Sequence, residues 1–404
     1  DPLTRTALTG AGALTSLGLG ARELLDGLRR GRRGLSTAAG RTELPTTARL
    51  GGWVPGFTDR DVDRRLDTRP MNQLSRFATV AARLALADAG LRVGPRDGER
   101  TGLINGVYVG PSEEEHMRAV IRSGGAEAEI SGFSTIVANS TAGWVSNALL
   151  LKGSSLTVSQ GADAGLFALV AAHLLIGSGH APCLLAGAAD ELYSRYYINY
   201  DELGLLHTGE DEARYRLVEN VDDKRVLAEG AAYLVAENLD AARTRGARIL
   251  AEVAGFGQTF DPEGFLEPAS GSAGLATAIA EALDRAGWVA KDVGLVIWSP
   301  QGNRRDLAVL DALEAALGPP GSRVPLVTSV FHTGLAESVS GAATLAAVLA
   351  AWADGGGLWP QLTGIPRIDG RPLPDAPVGT LAVVASDLGY NLAVALAPGE
   401  GAGR

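Results

Sequence analysis

The sequence predicts a layered α/β fold, and three observations carry this prediction. Between Gly153 and Asp190, a short strand, a tight turn, a buried helix and a second buried strand follow one another without interruption. From Ala273 to Leu396, apolar helices alternate with short apolar strands, as in proteins whose helices cover the faces of a sheet. A chain of 404 residues exceeds one ordinary domain, yet an α/β fold of this length can share a single continuous core.

The individual elements follow from the spacing of apolar residues, which is continuous in buried strands and periodic in helices. Residues 30–70 and 191–223 are polar or rich in Gly and Pro, which predicts irregular structure. The expected strands are Thr4–Leu17, Leu156–Val158, His180–Ala188, Val226–Glu237, Ile249–Gly255, Val293–Trp298, Val324–Val330, Leu381–Ala385 and Leu392–Leu396. The expected helices are Ala21–Arg29, Met71–Ala89, Glu113–Arg122, Leu166–Ile176, Leu239–Arg245, Ala273–Ala286, Leu307–Leu317 and Val339–Trp352.

The turn from Gln160 to Gly165 is the candidate functional centre. Small residues at 161–165 permit a sharp reversal between the strand and the helix that follows. Such an elbow presents one residue at a helix N-terminus, where backbone N–H groups and the helix dipole stabilise an anion. A catalytic nucleophile usually occupies this place.

Composition excludes several classes of function. The formal net charge of −10 argues against nucleic acid or an anionic membrane as the main partner, although a local basic patch is compatible with it. One cysteine excludes a disulfide framework and a cysteine-based zinc site, and it suits a reducing cytoplasm. Apolar stretches such as Ser338–Ala353 are too short to span a bilayer. We therefore expect a cytoplasmic protein that contacts neither a membrane nor nucleic acid.

No cofactor or metal is expected. Gly10 and Gly12 invite a dinucleotide-binding interpretation, but Thr15 stands where the third glycine of that fingerprint is required. The histidines show no metal-ligand spacing, and a satisfied or exposed imidazole is the expected state of four of them. These four are His116, His173, His180 and His207.

Segments along nearly the whole chain resemble those of β-ketoacyl synthases. They are Thr9–Thr15, Met71–Phe77, Ala87–Gly90, Gly153–Gly187, Leu227–Ala231 and Ser386–Asn391. The resemblance implies a thiolase-like layered αβαβα fold made of two similar halves, here residues 1–247, which contain the elbow, and 248–404.

The same resemblance implies that the groups needed for condensation are missing. A condensing synthase uses a cysteine thiolate, two histidines and a supporting lysine. At the matching positions the chain carries Ala162 for the cysteine, Gln301 and Leu335 for the histidines, and Val330 for the lysine. None of these four side chains forms a thioester or titrates near neutrality, so no catalytic residue is predicted.

A ketosynthase-like chain without reactive groups resembles the chain-length factor, the β subunit of type II polyketide synthases. This resemblance implies a heterodimer with a homologous catalytic ketosynthase, an acyl carrier protein that delivers the polyketide chain, and a tunnel shaped by both subunits. Many chain-length factors carry glutamine at the cysteine position, whereas here Gln160 lies two residues before Ala162.

Four apolar residues are candidate tunnel or partner contacts. Met117, Val120 and Ile121 share one stripe of the Glu113–Arg122 helix, and Phe133 lies in a loop further on. The resemblance places this region near the acyl tunnel and the subunit contact. The ordinary alternative is packing into the core, which spacing favours for Val120 and Ile121 and leaves open for the other two.

The competing hypothesis is an enzyme, an atypical thiolase-fold acyltransferase or malonyl decarboxylase. It would act without the cysteine and histidines and use Gln160, Gln301, His332 or Glu337. Other conspicuous residues receive structural interpretations: Cys183 as a buried core thiol, Asp163 as an N-terminal helix cap and Glu229 as a hydrogen-bonding carboxylate. A turnover assay on the isolated chain separates the two hypotheses.

Overall fold

The structure is a computed structural model, and it describes residues 5–39, 46–92, 100–108, 110–111, 120–125, 137–210, 225–262, 272–303, 305–318, 324–360 and 372–400. The strands are β1 (Thr6–Thr15), β2 (Gly18–Leu19), β3 (Ser36–Thr37), β4 (Leu50–Gly51), β5 (Thr101–Gly106), β6 (Ser155–Val158), β7 (Cys183–Asp190), β8 (Gly230–Asn238), β9 (Ala251–Phe260), β10 (Leu295–Trp298), β11 (Leu326–Val327), β12 (Thr380–Ala385) and β13 (Tyr390–Pro398). The α-helices are α1 (Ala21–Arg29), α2 (Gln73–Asp88), α3 (Ser140–Leu149), α4 (Ala164–Gly177), α5 (Ser194–Glu202), α6 (Leu239–Thr244), α7 (Ala273–Ala286), α8 (Arg305–Leu317), α9 (Val330–Thr333) and α10 (Ser340–Ala353).

Within the described ranges, one mixed sheet unites eleven strands and repeats a single strand order. From its centre outward, one half runs β1, β8, β7, β5, β6 and the other runs β9, β13, β12, β10, β11. In each half this order is first, fifth, fourth, second and third along the chain. The two inner pairings of each half are antiparallel and the two outer ones parallel. Strands β1 and β9 join the halves by antiparallel pairing. The predicted α/β fold of two similar halves is confirmed.

Helices cover both faces of this sheet in layers. Helices α4 and α10 form the inner layer, where their apolar residues share one core cluster with strands from both halves. Helices α2 and α3 cover the outer face of the first half, and α7 and α8 cover the outer face of the second. Because α10 is enclosed on all sides, 13 of its 14 residues are buried, and its sequence is correspondingly apolar all round.

Most predicted elements are present, with shifted ends. Helix α2 begins after Asn72, whose side-chain oxygen accepts a hydrogen bond from the Ser75 N–H at 2.8 Å and caps the helix. The strand expected over Val324–Val330 is shorter: β11 covers two residues, and the chain then turns into α9. The region expected to be irregular, residues 191–223, contains helix α5. No helix in the described part of the chain is long and apolar enough to cross a membrane.

Candidate functional site

The elbow between β6 and α4 adopts the predicted sharp turn. Gly161 and Asp163 have positive φ angles of +77° and +54°, and Ala162 between them is 2% exposed. The Asp163 N–H donates to the Glu337 carbonyl at 2.5 Å, and the Gly165 N–H donates to the Ser338 carbonyl at 2.9 Å. These two donors at the start of the helix are therefore engaged within the protein.

The Asp163 side chain does not cap its own helix, so the expected role was wrong in detail. It makes no capping hydrogen bond to α4. Its Oδ1 instead accepts from the Gly341 N–H at 2.5 Å, in the first turn of α10. Burial raises the pKa of this carboxyl to about 7, although the hydrogen bond from Gly341 acts in the opposite direction. The carboxyl thus joins the two central helices.

Gln301 is buried and occupied by local contacts. Its N–H donates to Asp306 Oδ1 at 2.7 Å, and its side-chain Nε2 donates to the Ser299 carbonyl at 3.1 Å. The Ser299 side chain lies beside the Asp163 carboxyl, so the fold brings this segment to the elbow. An amide held in this way neither accepts nor releases a proton near neutrality.

Leu335 and Val330 are fully buried. The Leu335 N–H donates to the Val226 carbonyl at 2.8 Å, which fixes the segment that continues to Glu337. Val330 starts the short helix α9 and belongs to an apolar core cluster. Hydrocarbon side chains at these two places supply packing and no acid or base.

A buried ion-pair cluster that the sequence did not reveal lies next to the elbow. Arg225, 0% exposed, donates from Nη1 to Glu337 Oε1 at 2.7 Å and from Nη2 to Asp387 Oδ2 at 2.6 Å. The Tyr200 hydroxyl donates to the same Glu337 oxygen at 2.8 Å, and its ring lies 4.9 Å from the guanidinium carbon. The Asn303 side chain donates to Asp387 Oδ1 at 2.6 Å. We call this set the Arg225 cluster.

Burial and the neighbouring charges act in opposite directions on the pKa values of Arg225 and Glu337. Burial alone would lower the pKa of Arg225, but the carboxylates of Asp387 and Glu337 raise it well above its usual value. Burial raises the pKa of Glu337, and the guanidinium opposes that rise. In the sequence, the only sign of the Arg225 cluster is this single arginine directly before the apolar run Val226–Ala228. It does not identify the residues that pair with the arginine.

The other candidate residues have structural partners. His332 Nδ1 lies 2.9 Å from the Arg32 carbonyl, and burial lowers the pKa of the ring. Glu229 accepts hydrogen bonds from the Val54 and Leu192 N–H groups at 3.0 and 3.2 Å, as expected of a structural carboxylate. Burial raises the pKa of Cys183 to about 12, which confirms an inert core thiol.

Among the described residues, no group of three or more His, Cys, Asp or Glu side chains forms a potential metal site. Gln160 is half-buried, and Gln301 and Glu337 are buried. The side chains described around the elbow are therefore apolar, hydrogen-bonded or ion-paired.

Two of the four candidate tunnel residues are among those that the structure describes. Met117 and Phe133 fall outside the described residues. Val120 and Ile121 lie in a helical turn, where Val120 is half-buried and Ile121 is 72% exposed. The core packing favoured for Ile121 is therefore wrong, because the described residues leave most of its side chain exposed.

Comparisons with known proteins agree with this geometry. A family model described as "Beta-ketoacyl synthase, N-terminal domain" matches residues 4–242. The 3-oxoacyl-[acyl-carrier-protein] synthase 2 of Vibrio cholerae serotype O1 is 28% identical over 334 residues, 80% of this chain and 80% of the relative.

Two solved structures extend the similarity to almost the full length. A β-ketoacyl synthase from Burkholderia phymatum STM815 has a TM-score of 0.87 at 27% identity, covering 98% of this chain and 99% of that one. A structure described as "the ishigamide ketosynthase/chain length factor" has a TM-score of 0.84 at 25% identity, with coverage of 98% and 99%.

Proposed function

We propose a function from one established premise: the chain belongs to the β-ketoacyl synthase family and has its thiolase-like fold, since the family model covers more than half of it. The proposed function is that of a non-catalytic chain-length factor. Such a subunit pairs with a homologous catalytic ketosynthase of a type II polyketide synthase. It contributes to the tunnel that receives the growing acyl chain.

The observation that carries this proposal is the state of the elbow. Ala162 has no nucleophilic atom, and the backbone N–H groups of Asp163 and Gly165 at the start of the helix already have carbonyl acceptors. Each missing acid or base is worth about 10²–10⁴-fold in rate, so a different nucleophile alone would not restore condensation. The family's reaction therefore belongs to the partner in this proposal.

The edges of the sheet support pairing. Strand β6 is one edge, with Ser155 exposed and Leu156 46% exposed. At the opposite edge, both residues of β11 are buried. An exposed edge strand with an apolar side chain is a ready surface for another strand or subunit. We infer that the partner ketosynthase covers β6.

The tunnel assignment follows from exposure and resemblance. The described residues leave Ile121 72% exposed, and a partner subunit or an acyl chain would cover it. We propose that Met117, Val120, Ile121 and Phe133 contact the tunnel or the partner. The acyl carrier protein is the proposed donor, in line with the name of the Vibrio cholerae relative. One cysteine suits a reducing cytoplasm as the proposed location.

The alternative, an acyltransferase or malonyl decarboxylase, has less support. Gln301, His332 and Glu337 all have buried partners within the chain. Gln160 is half-buried, but it carries no titratable group. We therefore treat independent turnover as the outcome that would replace the chain-length-factor proposal.

The decisive experiment co-purifies the chain with a catalytic ketosynthase from the same gene neighbourhood and measures condensation with malonyl-carrier protein. We expect a one-to-one complex, turnover only in the complex, and no acyl adduct on this chain by intact mass. Leu156→Lys should abolish the complex and leave the circular dichroism of the isolated chain unchanged.

A matched control is Val289→Lys, which charges another exposed apolar residue, 55% exposed and away from β6. It should leave the complex intact. Condensation by the isolated chain, a covalent acyl group on it, or exclusive self-association would each overturn the proposal.

A further inference from the structure

The hairpin turn between β12 and β13 lies directly on the elbow. A Cβ atom built on Gly161 would meet Ser386 Oγ at 2.5 Å and Leu388 Cδ1 at 3.4 Å. Within the turn, the Gly389 N–H donates to the Ser386 carbonyl at 3.0 Å, and Gly389 adopts a φ of +86°. Because only glycine fits at 161, the contact leaves no room between turn and elbow at this point.

The turn is fastened from one side by its aspartate. Both oxygens of Asp387 are used, since Oδ2 accepts from Arg225 and Oδ1 accepts from Asn303, each at 2.6 Å. Asn303 belongs to the same segment as Gln301. Two segments distant in sequence therefore hold the turn.

The elbow is fastened to the same arginine. Arg225 donates to the Glu337 side chain, and the Glu337 carbonyl accepts from the N–H of Asp163 in the elbow. The side chains of Arg225 and Glu337 are 0% and 1% exposed, and that of Asp387 is 17% exposed. A continuous path of short contacts thus links the turn, the guanidinium and the elbow.

Charge and burial make this link rigid. The guanidinium and the Glu337 carboxylate are shielded from solvent, and Asp387 is only partly exposed, so separating the arginine from its partners leaves a poorly compensated buried charge. The turn therefore cannot move away from the elbow without breaking a charge-assisted hydrogen bond.

We propose that Asp387, Arg225 and Glu337 form a clamp that holds the turn Ser386–Gly389 closed over the elbow and excludes an acyl chain from it. The inference rests on the proposed function. It explains why a tunnel shared by two subunits leads to the nucleophile of the partner and not to the elbow of this chain. Loss of the cysteine removes the chemistry, and the clamp removes the access. Restoring a thiol at residue 162 alone should therefore not restore its reactivity.

Thiol alkylation tests the clamp. In the full chain, Cys183→Ala removes the native cysteine and Ala162→Cys places a single thiol at the elbow. Iodoacetamide is the probe: the thiolate displaces iodide, and intact mass follows the adduct. We expect slow labelling with the clamp present and labelling about tenfold faster or more when Arg225→Met and Glu337→Gln remove it, because opening limits access.

A second pair of variants keeps the result interpretable. Arg245→Met with Glu237→Gln removes a different buried ion pair, and labelling of the elbow thiol should stay slow. If the Arg225 double variant does not fold, as judged by circular dichroism, Asp387→Asn weakens the clamp with no change in size and should also accelerate labelling.

Fast labelling with the clamp intact, or an unchanged rate in a folded clamp variant, would overturn the clamp. Neither result depends on a partner subunit, so failure of the clamp is distinguishable from failure of the pairing proposal. The reverse also holds, because a chain that pairs only with itself can still show slow labelling at residue 162.

Discussion

Two ion pairs at opposite ends of β7 and β8 differ in their burial and in the segments that they connect. At one end, Arg245 binds Glu237 through Nε at 2.8 Å, and the arginine side chain is 28% exposed. At the other end, fully buried Arg225 binds Glu337 and Asp387. The first pair is eight residues apart in sequence, whereas the Arg225 partners are 112 and 162 residues away.

This difference shows that the candidate site is held together by contacts between segments that are distant in sequence. A local pair such as Arg245 with Glu237 fastens one chain reversal. The Arg225 cluster instead connects a loop, the segment before α10 and a hairpin turn, all around the elbow.

Removal of Arg225 should have the largest effect on the free energy of unfolding. Arg225→Ala leaves two buried carboxylates without their cation, and we expect a loss of about 3–5 kcal/mol in unfolding free energy. Urea unfolding followed by circular dichroism measures it. The neutral double variant Arg225→Met with Glu337→Gln should lose less, and equal losses would show that charge is not the cause.

The stability of the protein should depend on pH through Asp163, which lies in the elbow near the Arg225 cluster. The pKa of Asp163 is raised to about 7 by burial, so the folded state keeps a proton that the unfolded state releases near pH 4. The contribution of Asp163 to the free energy of unfolding is complete below about pH 4 and decreases as the pH rises to about 7. The decrease is at most about 1.4 kcal/mol per pH unit.

Asp163→Asn retains an oxygen acceptor for the Gly341 N–H and removes the titration. Its urea midpoint should therefore fall less than that of the wild type between pH 5 and pH 7.5. Parallel pH profiles for the two proteins would contradict a raised pKa at this residue.

The smallest effect should come from the opposite end. Arg245 is partly solvated, so Arg245→Ala should cost about 1 kcal/mol, because water compensates part of the lost charge pair. The same urea titration measures it. A loss as large as that of Arg225→Ala would erase the distinction between a local pair and one that joins distant segments.

Sequence patterns predicted the fold better than the site. Continuous apolar runs located the central helices and most strands, because burial on both faces requires such composition. Helix α5 was missed because it is short and lies in a polar segment, although its buried Tyr196, Tyr197 and Tyr200 have a helical spacing. Its buried side is defined by partners from elsewhere in the chain.

Within the site, the assignment of Ala162 and Gln301 to the family's reactive positions is a prediction from sequence position. The contacts around these residues could not be predicted from the sequence. The partners of Arg225 are brought to it only by folding of the entire sheet, and nothing in the local sequence specifies them. Asp163 shows the same limit. Its position in the sequence predicted a cap of α4, whereas in the folded chain its side chain binds the first turn of α10.

The exposed edge at β6 also bears on how such a chain is made in a cell. Until something covers that edge, its backbone N–H and C=O groups are free to add any extended segment, including one from an identical nascent molecule. Synthesis beside its partner, at matched amounts, would then protect against aggregation as much as it would ensure correct assembly.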